Sequence, residues 1–136
     1  MFSAGLSPPC VAQVISAFEV IDSEEGKERI QTLHENSDLM RRELTNAGMY
    51  VIGDYGSAVI PMLICQPGKI AYCSRLLFER GIAVVVVGFP AVPILFSRIR
   101  FCISANHTKE QILDAVKEIK EVASVTHLYY RKKLLG

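Results

Sequence analysis

The sequence predicts a small α/β fold of the α+β kind, with helices packed on a small mixed or antiparallel sheet. Three observations support this. Helical spacing or helix punctuation marks four stretches, near residues 8–21, 27–46, 70–80 and 108–122. Short apolar or alternating runs at 50–52, 58–65, 82–87 and 98–104 read as strands. Glycine, proline and polar residues separate them, which gives the order α, α, β, β, α, β, loop, β, α. At 136 residues the chain is one domain's worth, and half its residues are hydrophobic, so a core can form without disulfides or metal.

Each element has a local reason. Ser7-Pro8-Pro9 opens the first helix: Ser can cap, and proline is tolerated in a first turn. Val11, Val14, Ile15 and Phe18 form its apolar stripe. A polar break at residues 22–26 precedes a longer helix with Ile30, Leu33, Ser37, Met40 and Leu44 on one line, and Gly48 is its expected left-handed stop. The near-continuous apolar run 58–65 implies a strand buried on both faces, but Pro61 lacks a ladder donor and points to an edge or a bulge. Pro67-Gly68 starts the third helix and Gly81 stops it. The β-branched run 82–87 predicts a buried strand. Pro90 and Pro93 forbid regular structure between Gly88 and Pro93. In the run 98–104, Arg98, Arg100 and Cys102 alternate with Ile99, Phe101 and Ile103, as on a strand with two unlike faces. Thr108 and Gln111 form a capping box for a last helix whose buried stripe is Ile112, Val116, Ile119 and Val122. Residues 1–128 make the expected domain, and 129–136 a basic, frayed tail.

Composition excludes several classes. A net charge of +1 provides no field for nucleic acid, and basic residues gather only at the end of the chain. The longest apolar run is far too short to cross a bilayer, and no secretory signal opens the sequence. The location expected is therefore the cytoplasm. Cys10, Cys65, Cys73 and Cys102 lie far apart with no metal-ligand spacing, so they read as reduced thiols in a cytosolic core, and no metal site is expected. The phosphate-binding glycine patterns and GxSxG are absent.

The chemistry-bearing candidates are few. Arg98 and Arg100 share one strand face beside a rigid apolar loop, an arrangement suited to a bidentate grip on a carboxylate. Spacing alone leaves open a solvated sheet face or an internal salt bridge. The loop through Pro90, Ala91 and Pro93 is stiff enough to order over a ligand at small entropic cost, or is an ordinary connection. His107 precedes a helix start and reads as a turn residue; His34 and His127 have no ligand partners in sequence.

The segments FSAGLSPP, GKE to LHEN, RREL, GIAVVVVGFPAVP and RIRFCISANHT occur in an order and spacing that resemble the C-terminal part of the α-oxoamine synthase family. Within it, VVVVGFPAVP and RFCISANHT are most similar to its serine palmitoyltransferase members. The resemblance implies the small C-terminal domain of a fold-type I enzyme dependent on pyridoxal 5'-phosphate. Such enzymes condense an amino acid with an acyl-CoA and lose carbon dioxide; here the pair implied is serine and palmitoyl-CoA, for sphingolipid long-chain bases. It implies a homo- or heterodimer with a related subunit, placed in the cytoplasm or on the cytosolic face of the endoplasmic reticulum through a partner. It assigns the substrate carboxylate to Arg100 with Arg98 as neighbour, and the closing loop to Pro90, Ala91 and Pro93. The family's usual threonine is Val92 here. Ser3 is implied near the cofactor phosphate of the opposite subunit, although Ala4 and Gly5 replace common hydroxyl residues.

The family's Schiff-base lysine, its aspartate and its stacking histidine precede the point where this sequence begins. No catalytic residue is therefore assigned, and the isolated chain is expected to be inert and to hold the cofactor poorly. The alternative is a non-catalytic module that binds or regulates a full-length subunit. A third reading is an unrelated small ligand-binding domain. The apolar stripe of the first helix predicts self-association.

Overall fold

In the computed structural model, residues 5–129 are described, and the chain divides into two compact units, Met1–Thr32 and Leu33–Gly136. The first unit holds α1 (Pro8–Asp22) and the start of α2 (Glu24–Asn46). Ser7 precedes α1 but does not cap it: its hydroxyl donates to Cys10 Sγ at 3.1 Å. The usual N2 target of a cap is Pro9, which has no N–H. No residue of α1 is buried. The predicted five-residue break shrinks to Ser23. Its Oγ donates to Val20 O (2.6 Å) and accepts from Gly26 N–H (3.2 Å), so one residue ends α1 and caps α2. A Cβ on Gly26 would collide with the carbonyls of Val20 and Ile21, which explains glycine inside a helix.

The second unit carries the sheet and its helices. Asn36, Ser37, Met40, Arg41 and Leu44 of α2 are buried there, while Ile30 of the predicted stripe is exposed. Three helices end in the same way. After α2, Gly48 N–H bonds to Thr45 O and Met49 N–H to Leu44 O (3.0 and 3.2 Å). After α3 (Pro67–Glu79), Gly81 and Ile82 repeat the pattern on Phe78 and Leu77. After α4 (Lys109–Thr126), His127 and Leu128 repeat it on Ser124 and Ala123. Such Schellman ends need a left-handed residue. Gly48 and Gly81 meet that need at φ +86° and +78°, and His127 is held at φ +54°. The capping box at Thr108 forms as predicted, with Gln111 N–H to Thr108 Oγ1 at 3.2 Å and the return bond at 3.0 Å.

The sheet is antiparallel, in the order β1-β3-β2, with β1 at Val59–Leu63, β2 at Val85–Val87 and β3 at Arg98–Cys102. The register of β1 on β3 is unbroken, from Val59↔Cys102 to Leu63↔Arg98, so Pro61 makes no bulge. The β3 side of this strand is served by bonds such as Ile64 N–H to Ser97 O. Pro61's missing donor faces the outer edge, where its carbonyl accepts from Ile52 N–H at 3.0 Å. The predicted strand at 50–52 is only a bridge on that edge, Val51 opposite Met62.

The run 82–87 departs most from expectation. Pairing begins only at Val85, because Gly81 and Ile82 are held in the end of α3. Val85 and Val86 are 53% and 43% exposed rather than buried, since β2 is an edge strand with one partner. One sheet face forms the core: Ile60, Met62, Ile99 and Phe101 pack with Met40, Leu44 and Leu77 and with all four predicted residues of the α4 stripe. Each such side chain contributes roughly 1.5–3 kcal/mol by leaving water.

Candidate functional site on the open sheet face

The core face of β3 fixes what its other face shows. Ile99 and Phe101 point inward, so Arg98, Arg100 and Cys102 share the opposite side. Register gives them neighbours. Arg98 lies between Leu63 and Val87, and Arg100 between Pro61 and Val85. Two guanidinium groups thus rise from the middle strand between aliphatic rows. Neither makes an ion pair or hydrogen bond among the described residues, and Arg98 Nε is buried without an acceptor. The internal salt bridge left open by spacing is therefore not formed among the described residues. An unpaired guanidinium edged by apolar groups favours a planar anion with two oxygens.

The Pro-containing loop leaves the sheet after Val87, the register partner of Arg98; Arg100 is two residues farther along, about 6–7 Å. Gly88 O accepts from Ala91 and Val92 N–H (3.0 and 3.3 Å), and the Phe89–Pro90 peptide is cis. Pro90, Ala91 and Pro93 are exposed. Phe89, Ile94, Leu95 and Phe96 are each more than half exposed, so the loop and the 3-10 turn Ile94–Phe96 form an apolar rim. Ser3 lies outside the described residues, as does the tail beyond Tyr129. Tyr129 itself packs against the core, and its hydroxyl donates to Lys120 O at 2.9 Å.

The other sequence candidates have structural duties. His107 Nδ1 accepts from Ser104 N–H at 3.1 Å, and its carbonyl accepts from Asn36 Nδ2 at 2.7 Å; it organises the turn before α4. His34 is exposed on α2. All four cysteines are free, but only Cys73 is in the core, where burial pushes its thiol pKa up. The described lysines sit on α2, α3 and α4, and none is on the open face: Lys69 Nζ, for one, donates to Thr126 O at 2.9 Å. Sequence reasoning passed over Asn36 and Arg41, both almost fully buried. The signal available was a polar residue set within an apolar helical stripe.

Residues 1–119 match the family Aminotransferase class I and II, and the chain belongs to that family. Among curated relatives, Long chain base biosynthesis protein 2b of Oryza sativa subsp. japonica is 40% identical over 134 residues, 96% of this chain and 27% of the relative. Serine palmitoyltransferase 2 of Dictyostelium discoideum is 38% identical over 136 residues, 97% of this chain and 28% of the relative. The chain thus spans little more than a quarter of the length of these relatives. A solved structure of SPT with PLP internal aldimine superposes with a TM-score of 0.83 at 21% identity, covering 94% of this chain and 32% of that one. The helices on a three-stranded antiparallel sheet are therefore the fold of one part of that enzyme.

Proposed function

We propose that this chain is the carboxylate-binding, C-terminal small domain of a serine palmitoyltransferase-like enzyme, with residues 1–128 forming the domain. The observation that carries the reading is the unpaired pair Arg98 and Arg100 on an apolar strand face, in a chain 38% identical to Serine palmitoyltransferase 2. Arg100 would hold the carboxylate of serine, with Arg98 beside it. The loop at Pro90, Ala91 and Pro93 would close over the ligand and exclude water. The complete enzyme would work as a dimer with a related subunit, in the cytoplasm or held at the cytosolic face of the endoplasmic reticulum. No helix among the described residues is long and apolar enough to cross a membrane.

Pyridoxal 5'-phosphate supplies an electron sink in such chemistry. Among the described residues no lysine lies on the open face to carry it. This chain's role is on the substrate side.

The test is co-expression with the part of the Dictyostelium relative outside the matched span. Carbon dioxide release from carboxyl-labelled serine with palmitoyl-CoA is the readout. Activity should require this chain, and Arg100→Ala should raise KM for serine about 10- to 100-fold, the worth of a charge-assisted hydrogen bond, while leaving KM for palmitoyl-CoA unchanged. Unchanged serine kinetics in Arg100→Ala and Arg98→Ala would sink the reading. The wholly exposed α1, with Val14, Ile15 and Phe18 about half exposed or more, favours a second reading as a non-catalytic module docked on a full-length subunit. Co-purification with that subunit while its activity stays independent of Arg100 would decide for it.

A further inference from the structure

Arg41 lies on α2 with 3% of its surface exposed. Its Nη1 donates to Ile52 O and Gly53 O at 2.8 and 3.0 Å. Among the described residues its Nε and Nη2 are buried with no acceptor, and it makes no ion pair. The bonds already made leave a particular edge free. Nε–H and the adjacent Nη2–H point in parallel, the fork that meets two oxygens of a carboxylate or phosphate. A buried cation with no carboxylate at ion-pair distance among the described residues is costly, and each such orphan calls for an explanation.

The cover over this edge is built to move. Residues 53–57 approach the guanidinium through Gly53 and Tyr55, and the segment contains two left-handed glycines, Gly53 and Gly56, at φ +89° and +79°. A Cβ at Gly53 would lie 3.7 Å from Arg41 Nη2, so the loop backbone sits directly against the guanidinium. Tyr55 places its ring 5.9 Å from Arg41 Cζ yet is 66% exposed. One hydrogen bond ties the far end of the loop to α2, from Gly56 N–H to Asp38 Oδ1 at 2.8 Å. Beyond Gly53, whose carbonyl Arg41 itself holds, only a ring contact and one hydrogen bond secure the segment, a weak latch.

We propose that residues 53–57 are a lid over a small-oxyanion site gripped by the Nε–Nη2 edge of Arg41. Entry requires Tyr55 to swing aside and Gly56 to leave Asp38. The ligand carries a carboxylate or phosphate group. Asp38 on the anchoring helix and Asp54 in the lid oppose a second negative charge, so a monoanionic carboxylate should bind more tightly than dianionic phosphate. The site lies beyond the outer edge of β1 and does not depend on the role proposed for Arg98 and Arg100.

The experiment is a titration of the whole chain with sodium acetate and, separately, sodium phosphate, with chloride holding ionic strength constant. The Arg41 Nε–H resonance reports binding. A saturable shift at millimolar anion is expected, weakened at least tenfold in Arg41→Lys, which keeps the charge but loses the fork. Tyr55→Ala, a change at an exposed side chain, should tighten binding several-fold because no ring has to be displaced. If Arg41→Lys does not fold, the wild-type chain and Tyr55→Ala decide. Saturation by either anion identifies which group the site takes. A resonance unmoved by both anions, a shift that never saturates, or equal binding by Arg41→Lys overturns the proposal.

Discussion

Replacing Asn36 by Leu would separate shape from hydrogen bonding at the joint between α2 and the turn leading into α4. Asn36 is 1% exposed, and its Nδ2 donates to His107 O at 2.7 Å and lies 3.5 Å from Ser104 O. Leucine has the same four branched side-chain heavy atoms and is bulkier by its methyl hydrogens, so no cavity opens. What is lost is the donor to a part-buried carbonyl, at about 1–3 kcal/mol. Near the middle of that range, about 2 kcal/mol, the urea midpoint should fall by roughly 1 M for a slope of about 1.5–2 kcal/mol/M. For 136 residues the same loss lowers Tm by about 7 °C. Asn36→Asp should do more harm at neutral pH, because an ionised carboxylate faces two carbonyl oxygens with no proton to give. Urea unfolding followed by far-ultraviolet circular dichroism measures both variants. Hydrogen exchange at the first turn of α4 shows whether the damage starts at that turn. A Leu variant within 0.5 kcal/mol of the parent, a margin of about the usual effect of a surface change, would refute the reasoning. So would an Asp variant no worse than Leu.

Other positions make independent tests. His127 is exposed, makes no side-chain hydrogen bond among the described residues and occupies a left-handed position that glycine fills after α2 and α3; His127→Gly should stabilise the chain by about 0.5–1 kcal/mol, seen as a higher urea midpoint, and a loss would show that the imidazole has an unrecognised role. Gly26→Ala should force the α1–α2 corner open at a cost of about 1–3 kcal/mol, with faster amide exchange in α1 and little change in the α4 amides; uniform protection throughout would count against it. Thiol labelling should find Cys10 and Cys102 fast and Cys73 protected until unfolding, because Cys73 is both buried and held protonated; rapid loss of all four thiols in the native state would contradict this. At high concentration the chain should self-associate through Val11, Val14, Ile15 and Phe18, and Phe18→Glu should abolish it; a wild-type monomer at every concentration in sedimentation would exclude the surface.

Local signals survived into the fold wherever the physics was local. The capping box at Thr108, the stop at Gly48 and the α4 stripe each depend on residues within one or two helical turns, so the spacing contained the answer. The alternation in β3 was equally legible, because a period of two settles which residues share a face. The family was legible too, since order and spacing of short segments are linear properties.

What needed the tertiary structure was everything decided by residues distant in the chain. The β-branched run 82–87 has the composition of a buried strand, yet α3 holds its beginning and the sheet ends at it, so only three residues pair and two valines meet solvent. Asn36 finds its partner 71 residues away, and Arg41 finds its carbonyls across a turn; the helical stripe marks both positions as buried but names neither partner. The pairing of the arginines was also undecidable from spacing, because a salt bridge depends on where the carboxylates fall in space. The sequence by itself determined the helices, the two-faced strand and the family. Only the fold decided that Arg98, Arg100 and one edge of Arg41 would stand without partners among the described residues, because burial and charge compensation are set by the whole arrangement of neighbours.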